Sequence, residues 1–154
     1  MSKEQFLIAM RFLAASVSVI STKDSLGKPY AMTASSVTSL TIDPPSILVC
    51  VNKEASIHNA LNHGVNLCIN ILQKNQQEIS NLCSSKKLES QRFDNDFWDT
   101  DQIPFVKNAQ SNIFCKVEET IAYHTHKIVI VSVESSQSAD TFNTLMYANG
   151  GYLD

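Results

Sequence analysis

Only four glycines occur in the 154 residues, at positions 27, 64, 150 and 151, and their placement excludes two common phosphate-binding motifs. Neither the G-x-G-x-x-G turn of a Rossmann dinucleotide site nor the G-x-x-x-x-G-K-S/T nucleotide loop is present. A bound phosphate would have to rely on hydroxyls, ordinary backbone amides and a lysine. The four cysteines, Cys50, Cys68, Cys83 and Cys115, include no C-x-x-C pair that could grip zinc or shuttle electrons. Cys50 and Cys68 lie within apolar stretches, where a free thiol behaves as a small hydrophobe. Neither sign of charge is in large excess: 12 Lys and Arg against 15 Asp and Glu leave a net charge of -3, which argues against nucleic acid as a partner. Long hydrophobic runs are missing too. Ile47 to Val51 is as long as any unbroken apolar run becomes, far short of the ~18 residues of a membrane span. The opening residues Met1-Ser2-Lys3-Glu4-Gln5 lack the basic start and apolar stretch of a signal peptide. A cytoplasmic protein without membrane contact is the expectation. No Ser/His/Asp hydrolase signature occurs, and Asp94, Asp96, Asp99 and Asp101 lack the glycine and closing glutamate of a calcium loop.

What is present is enough for a core: 44% of residues are hydrophobic, and the length fits one domain spanning residues 1–154. Ser2 and Gln5 have capping-box spacing, and Phe6, Leu7, Met10 and Leu13 fall on one face of a helix expected to pack on a sheet. Ser16 to Thr22 and Tyr30 to Thr33 read as a β-hairpin around the turn signal Lys23 to Pro29. Val37 to Ile42 and Ser46 to Asn52 are two further strands joined through Asp43-Pro44-Pro45. Ser56 is placed to cap a short helix carrying Ile57, Ala60 and Leu61, stopped at Gly64. Val65 to Leu72 resumes strand character, and Asn75 with Glu78 marks a helix through Ile79, Leu82 and Cys83. Arg92 to Val106 has no clean period; Phe93, Phe97 and Trp98 there read as a plug for one end of the fold. Asn112 to Tyr123, Lys127 to Glu134 and Leu145 to Ala148 are strand-like. The sum is about seven strands and three helices, a mainly β protein with helices, most simply a β-barrel with helical decorations.

Three constellations could carry chemistry. Thr33-Ala34-Ser35-Ser36-Val37-Thr38-Ser39-Leu40-Thr41 places six hydroxyls in nine residues. They read either as a solvated strand edge or as a phosphate cradle. Asn52-Lys53 ends an apolar strand just before the helix start at Ser56, an arrangement suited to an anion, while a capping serine and a solvated lysine would look the same. His124-Thr125-His126 offers two imidazoles at i and i+2, which on a strand would share a face and could chelate a metal or serve a pocket.

Taken together these residues resemble the short-chain flavin reductases, whose fold is an FMN-binding split barrel with Greek-key-like strand order. The resemblance is carried by Tyr30-Ala31-Met32-Thr33-Ala34-Ser35-Ser36-Val37-Thr38-Ser39-Leu40, by Asp43-Pro44-Pro45, by Ile47-Leu48-Val49-Cys50-Val51-Asn52, and by Ser56 and His58. Later echoes are Arg92-Phe93, Trp98, His126 at the opening of a strand and Gly150-Gly151-Tyr152. The resemblance implies a homodimer that binds FMN, or FAD as in some members, and reduces it with NADH or NADPH. By it, Met32, Thr33 and Ala34 would face the flavin ring and Ser35 and Ser36 the ribityl phosphate. Val51, Asn52, Lys53 and Ser56 would line the other side, His126 would stand near the nicotinamide as the catalytic residue, and Tyr152 would lie close to the pocket. Few basic residues fall near this pocket in the sequence, which favours NADH over NADPH. Electrons would pass on to a monooxygenase partner or to ferric iron. Two rivals remain on the same residues: a flavin-binding electron carrier or store that ignores nicotinamide, and a barrel enzyme such as an oxidase of a phosphorylated pyridoxine.

Overall fold

Burial alternates along Pro45–Asn52, with Ile47, Val49 and Val51 buried and Leu48 and Cys50 between them half-buried, the period-two pattern of a strand with one face on a core. A computed structural model describes residues 1–154. Its strands in chain order are β1 (Ala15–Ser16), β2 (Ser18–Lys23), β3 (Pro29–Ala34), β4 (Val37–Ile42), β5 (Pro45–Asn52), β6 (Asn66–Ile71), β7 (Trp98–Asp99), β8 (Phe105–Val106), β9 (Ser111–Tyr123), β10 (His126–Ser138), β11 (Met146–Ala148) and β12 (Gly151–Leu153). There are two α-helices, α1 (Lys3–Arg11) and α2 (Gln77–Ser84), and three 3-10 turns at Ser56–Ala60, Lys74–Gln76 and Lys86–Gln91.

Seven strands form one sheet in the order β3-β2-β6-β9-β10-β5-β4, every neighbouring pair antiparallel. Ile20, Ala34, Leu67, Ile69, Val117, Val129, Val49 and Val51 meet in a single buried cluster, so the sheet curls round its own core. It does not close. β3 and β4 are the two edges of the sheet, linked only by Ser35-Ser36, and this corrects the simple β-barrel expected from the sequence. Two further small sheets, β1-β11-β12 and β7-β8, are attached to it.

A second core lies on the other side of β2, where Val17, Val19, Leu72, Ile79, Cys83 and Trp98 pack together. β2 is therefore buried on both faces. A side-chain network pins the irregular segment 98–110 onto the sheet. Asn70 Oδ1 accepts from the Val106 amide and from Asn112 Nδ2, both at 2.8 Å, while Asn70 Nδ2 donates to the Val19 carbonyl at 2.8 Å. Buried polar groups of this kind are costly unless paired, and here they are paired.

Several local expectations are corrected. Ser2 and Gln5 do form the capping box of α1, yet that helix buries no residue, leaving Phe6, Leu7, Met10 and Leu13 between 45% and 68% exposed rather than packed on the sheet. Ser56 is the first residue of its turn, not the cap; Ala55 takes that place and makes no side-chain bond. The Gln73–Gln76 pair, not Asn75 with Glu78, forms the capping box ahead of α2. His124 sits in the β9–β10 turn at φ 48° with its ring edge-on to Tyr123, so His124 and His126 do not share a strand face. No group of three His, Cys, Asp or Glu side chains is arranged to hold a metal ion, and no helix is long and apolar enough to cross a membrane.

Candidate active site

The end of β3, the Ser80–Ser84 face of α2 and the β11–β12 hairpin enclose a cavity of about 410 Å3 lined by Thr33, Ala34, Ser35, Ser80, Tyr147 and Tyr152, together with residues of those same segments. That volume lies within the range of small-molecule sites. Tyr152 reaches it from the last strand. Its hydroxyl donates to Asn81 Oδ1 at 2.7 Å and shares a 2.8 Å hydrogen bond with Ser80 Oγ. Its ring meets Tyr147 edge to face, with centroids 5.5 Å apart. Thr33 Oγ1 donates to the Ser80 carbonyl at 2.6 Å, tying β3 to α2. The outcome is a wall of aromatic edges and hydroxyls in which Ser35 makes no hydrogen bond to the protein and stays exposed.

The other residues singled out in the sequence lie in different places. Ser36 Oγ is taken up by β5: it donates to the Cys50 carbonyl at 3.2 Å and accepts from the Cys50 amide at 3.3 Å. Met32 leans on the core of the sheet, and Val51 is wholly buried within it. Val51 can therefore offer only its backbone to a ligand. Asn52 and Lys53 end β5 beside the β9–β10 turn, where the Lys53 amide donates to the Thr125 carbonyl at 2.9 Å. The exposed His126 is the register partner of Asn52, and its Nδ1 lies 2.9 Å from Thr125 Oγ1. Ser56 lines a separate cavity of about 570 Å3 with Lys28, Lys86, Lys87, Arg92 and Phe93. The structure thus brings Thr33, Ala34, Ser35 and Tyr152 together, sets Asn52, Lys53 and His126 at one strand end, and turns Ser56 towards a basic recess.

Two groups behind these surfaces fix their geometry. Arg92 is buried and spends its guanidinium on three carbonyls, those of Leu82, Ser85 and Ala31 at 2.8 to 3.0 Å. It clamps the end of α2 to the edge of β3. Lys127 points into the mouth of the barrel-like sheet, where Nζ donates to the His58 and Leu61 carbonyls at 2.7 and 2.8 Å. Burial pushes its pKa below the ordinary lysine value.

Ser80, Asn81 and Tyr147 were not among the candidates from the sequence. The spacing of Ser80, Asn81 and Ser84 at i, i+1 and i+4 is a polar stripe on one face of α2, and that was the available signal.

An antiparallel sheet that curls without closing, with a hydroxyl-lined cavity at its split edge, is the architecture of a flavin-reductase-like domain. The chain belongs to that family: residues 10–154 match the model of the flavin reductase like domain. Among its relatives is the FMN reductase (NADH) RutF of Pseudomonas syringae pv. syringae strain B728a, 33% identical over 153 residues, covering 98% of this chain and 85% of the relative. A provisionally named flavin reductase of Haemophilus somnus 129pt superposes with a TM-score of 0.90 at 30% identity over 99% of both chains. BorF, the flavin reductase component of a bacterial two-component tryptophan halogenase, gives 0.87 at 25% identity over 99% of this chain and 97% of its own.

Proposed function

We propose that this chain is an NADH-dependent flavin reductase that takes FMN, built on a split barrel and working as a homodimer. The observation that carries the reading is the meeting of Thr33, Ala34 and Ser35 with Tyr152 on one cavity, since residues nearly 120 positions apart that the resemblance to the flavin reductases assigns to one ligand line the same opening. The fit to a flavin is chemical. The cavity offers aromatic edges for a planar ring system, a free hydroxyl on Ser35 and backbone along an unpaired strand edge. FAD is a second flavin that such a site could take.

When bound, the flavin supplies the hydride-accepting chemistry. The protein's part is positional. Thr33 and the Ser80–Tyr152–Asn81 bonds hold the wall still, and the split edge of the sheet admits the ring. His126, exposed at the start of β10 and held by Thr125, orients the nicotinamide rather than giving up a proton. No acid-base pair is required by this scheme, and none stands in the cavity.

The dimer is supported by α1 and its flank, where Phe6, Leu7, Ile8, Met10, Phe12 and Leu13 are 45% to 71% exposed. An apolar face of that extent is a surface for a second protein copy. The reduced flavin would pass to a monooxygenase- or halogenase-type acceptor. Four free cysteines fit a reducing, cytoplasmic compartment. The test is a binding titration followed by turnover: FMN fluorescence should be quenched on addition of protein, and the complex should oxidise NADH. An unquenched flavin contradicts the reading.

A further inference from the structure

We infer that Arg11, at the C-terminal end of α1, is a phosphate-binding residue of the candidate site; the inference rests on the flavin reductase reading above and assigns one cation to it. Arg11 is 139 positions from Gly150 in the sequence, yet the two meet in the fold. The Asn149 amide donates to the Arg11 carbonyl at 2.6 Å, fixing the end of α1 against the β11–β12 turn. The guanidinium lies close against Gly150. A Cβ built on that glycine would stand 3.3 Å from Nη2, 3.7 Å from Cζ and 3.8 Å from Nε. The missing side chain at Gly150, which also has φ +78°, is what leaves the guanidinium its room.

Charge and position then point to a ligand. Arg11 takes part in neither of the ion pairs of the chain, which join Lys86 to Glu54 and Lys116 to Glu134. It lines a recess of about 300 Å3 with Leu7, Met10 and Ala148, and this recess shares Ser35, Tyr147 and Gly150 with the main cavity. An unpaired guanidinium and the free hydroxyl of Ser35 therefore border one continuous opening. A planar fork of N–H donors beside a hydroxyl suits a phosphate better than any neutral group. No glycine-rich loop exists to do that work, and the sequence hides this cation because it lies at the other end of the chain.

The phosphate could be that of FMN or one of the two of the nicotinamide dinucleotide, and a single set of measurements separates them. Wild type, Arg11→Gln and Arg11→Lys are compared for the Kd of FMN, the Kd of riboflavin, which has no phosphate, and the KM for NADH. If Arg11 holds the flavin phosphate, Arg11→Gln weakens FMN about tenfold and leaves riboflavin unchanged. If it holds the dinucleotide, the KM for NADH rises about tenfold with kcat and FMN binding preserved. In either case Arg11→Lys recovers part of the loss, and added salt weakens the wild type more than the glutamine variant.

Three constants within twofold of wild type would overturn the inference. So would a parallel loss of riboflavin binding, because that marks a structural effect. Should Arg11→Gln not fold, salt-independent binding of both FMN and NADH by the wild type would overturn it as well. Binding of FMN and NADH by the wild type with no response at Arg11 sinks this inference alone, whereas a wild type that binds neither sinks the functional reading with it.

Discussion

His126 stands directly opposite Asn52 in the register of β10 and β5, which brings the end of the hydroxyl-and-proline block of the sequence to the histidine proposed to orient the nicotinamide. The pairing comes from the sheet, since β5 and β10 are neighbours through seven register pairs from Ser46–Ser132 to Asn52–His126. Replacing His126 with Ala should raise the KM for NADH more than it weakens FMN, because the ring is exposed and bonded only to Thr125. Steady-state kinetics beside an FMN titration decide this; equal losses in both would remove His126 from the nicotinamide side.

Tyr152 closes the cavity through two hydrogen bonds to α2. Tyr152→Phe keeps the ring against Tyr147 and removes both bonds, so it should cost about 1 kcal/mol of stability and loosen ligand binding more than it slows turnover at saturation. Urea unfolding and ligand titration of the variant check the two halves. Unchanged stability would show that the hydroxyl does not tether the last strand.

Much of the sheet was legible in the chain. The β2–β3 hairpin and the β4–β5 pair announce themselves through β-branched residues around turn signals, and β9 and β10 are long enough to be unmistakable. What escaped was encoded otherwise. β1, β11 and β12 are two or three residues each, too short for a period to register. The segment 92–110 is held by side chains bonding to backbone, as when Trp98 Nε1 donates to the Arg92 carbonyl at 2.6 Å, and no hydropathy pattern writes that. At the site, Thr33, Ala34, Ser35 and Tyr152 share a cavity, but Ser36 is spent on Cys50 and Val51 faces the core because strand alternation sends every second residue inward. Ser56 opens on a different recess, since a 3-10 turn rather than a capped α-helix follows β5.

Lys127 joins β10 to the turn at Ser56–Ala60 and the residue after it by bonds to the His58 and Leu61 carbonyls. Lys127→Met fills similar space without donors and leaves two buried carbonyls without those bonds, so a loss of about 1–3 kcal/mol is expected. The thermal midpoint measures it. A variant as stable as the parent would mean that the carbonyls find other partners.

The thiols provide a pH signature. Burial pushes Cys83 and Cys115 up to about 12 and Cys68 higher still, against an ordinary value of 9.0. These groups stay protonated in the native state when the unfolded chain has already lost the protons. Their contribution is fully present below pH 9.0 and is lost as the pH rises towards about 12. Lys127, lowered by burial, works in the opposite direction but is one group against three. Urea midpoints should therefore fall through that alkaline window. In the folded protein near neutral pH only Cys50, half-buried on β5, should react quickly with a thiol reagent; rapid labelling of all four would contradict the burial described.

The apolar face of α1 carries its own expectation. Met10→Glu, which puts a charge among exposed Phe6, Leu7 and Leu13, should convert a dimer to a monomer in sedimentation equilibrium while the sheet stays folded, because α1 buries none of its residues in the monomer. A wild type that sediments as a monomer removes the second copy from the account.

The most direct measurement is an anaerobic titration of the FMN-loaded protein with NADH, following the oxidised flavin absorption band. The account predicts fast bleaching that is complete at one NADH per flavin. A flavin that binds, stays oxidised with NADH and bleaches with dithionite would contradict it and leave an electron carrier in its place.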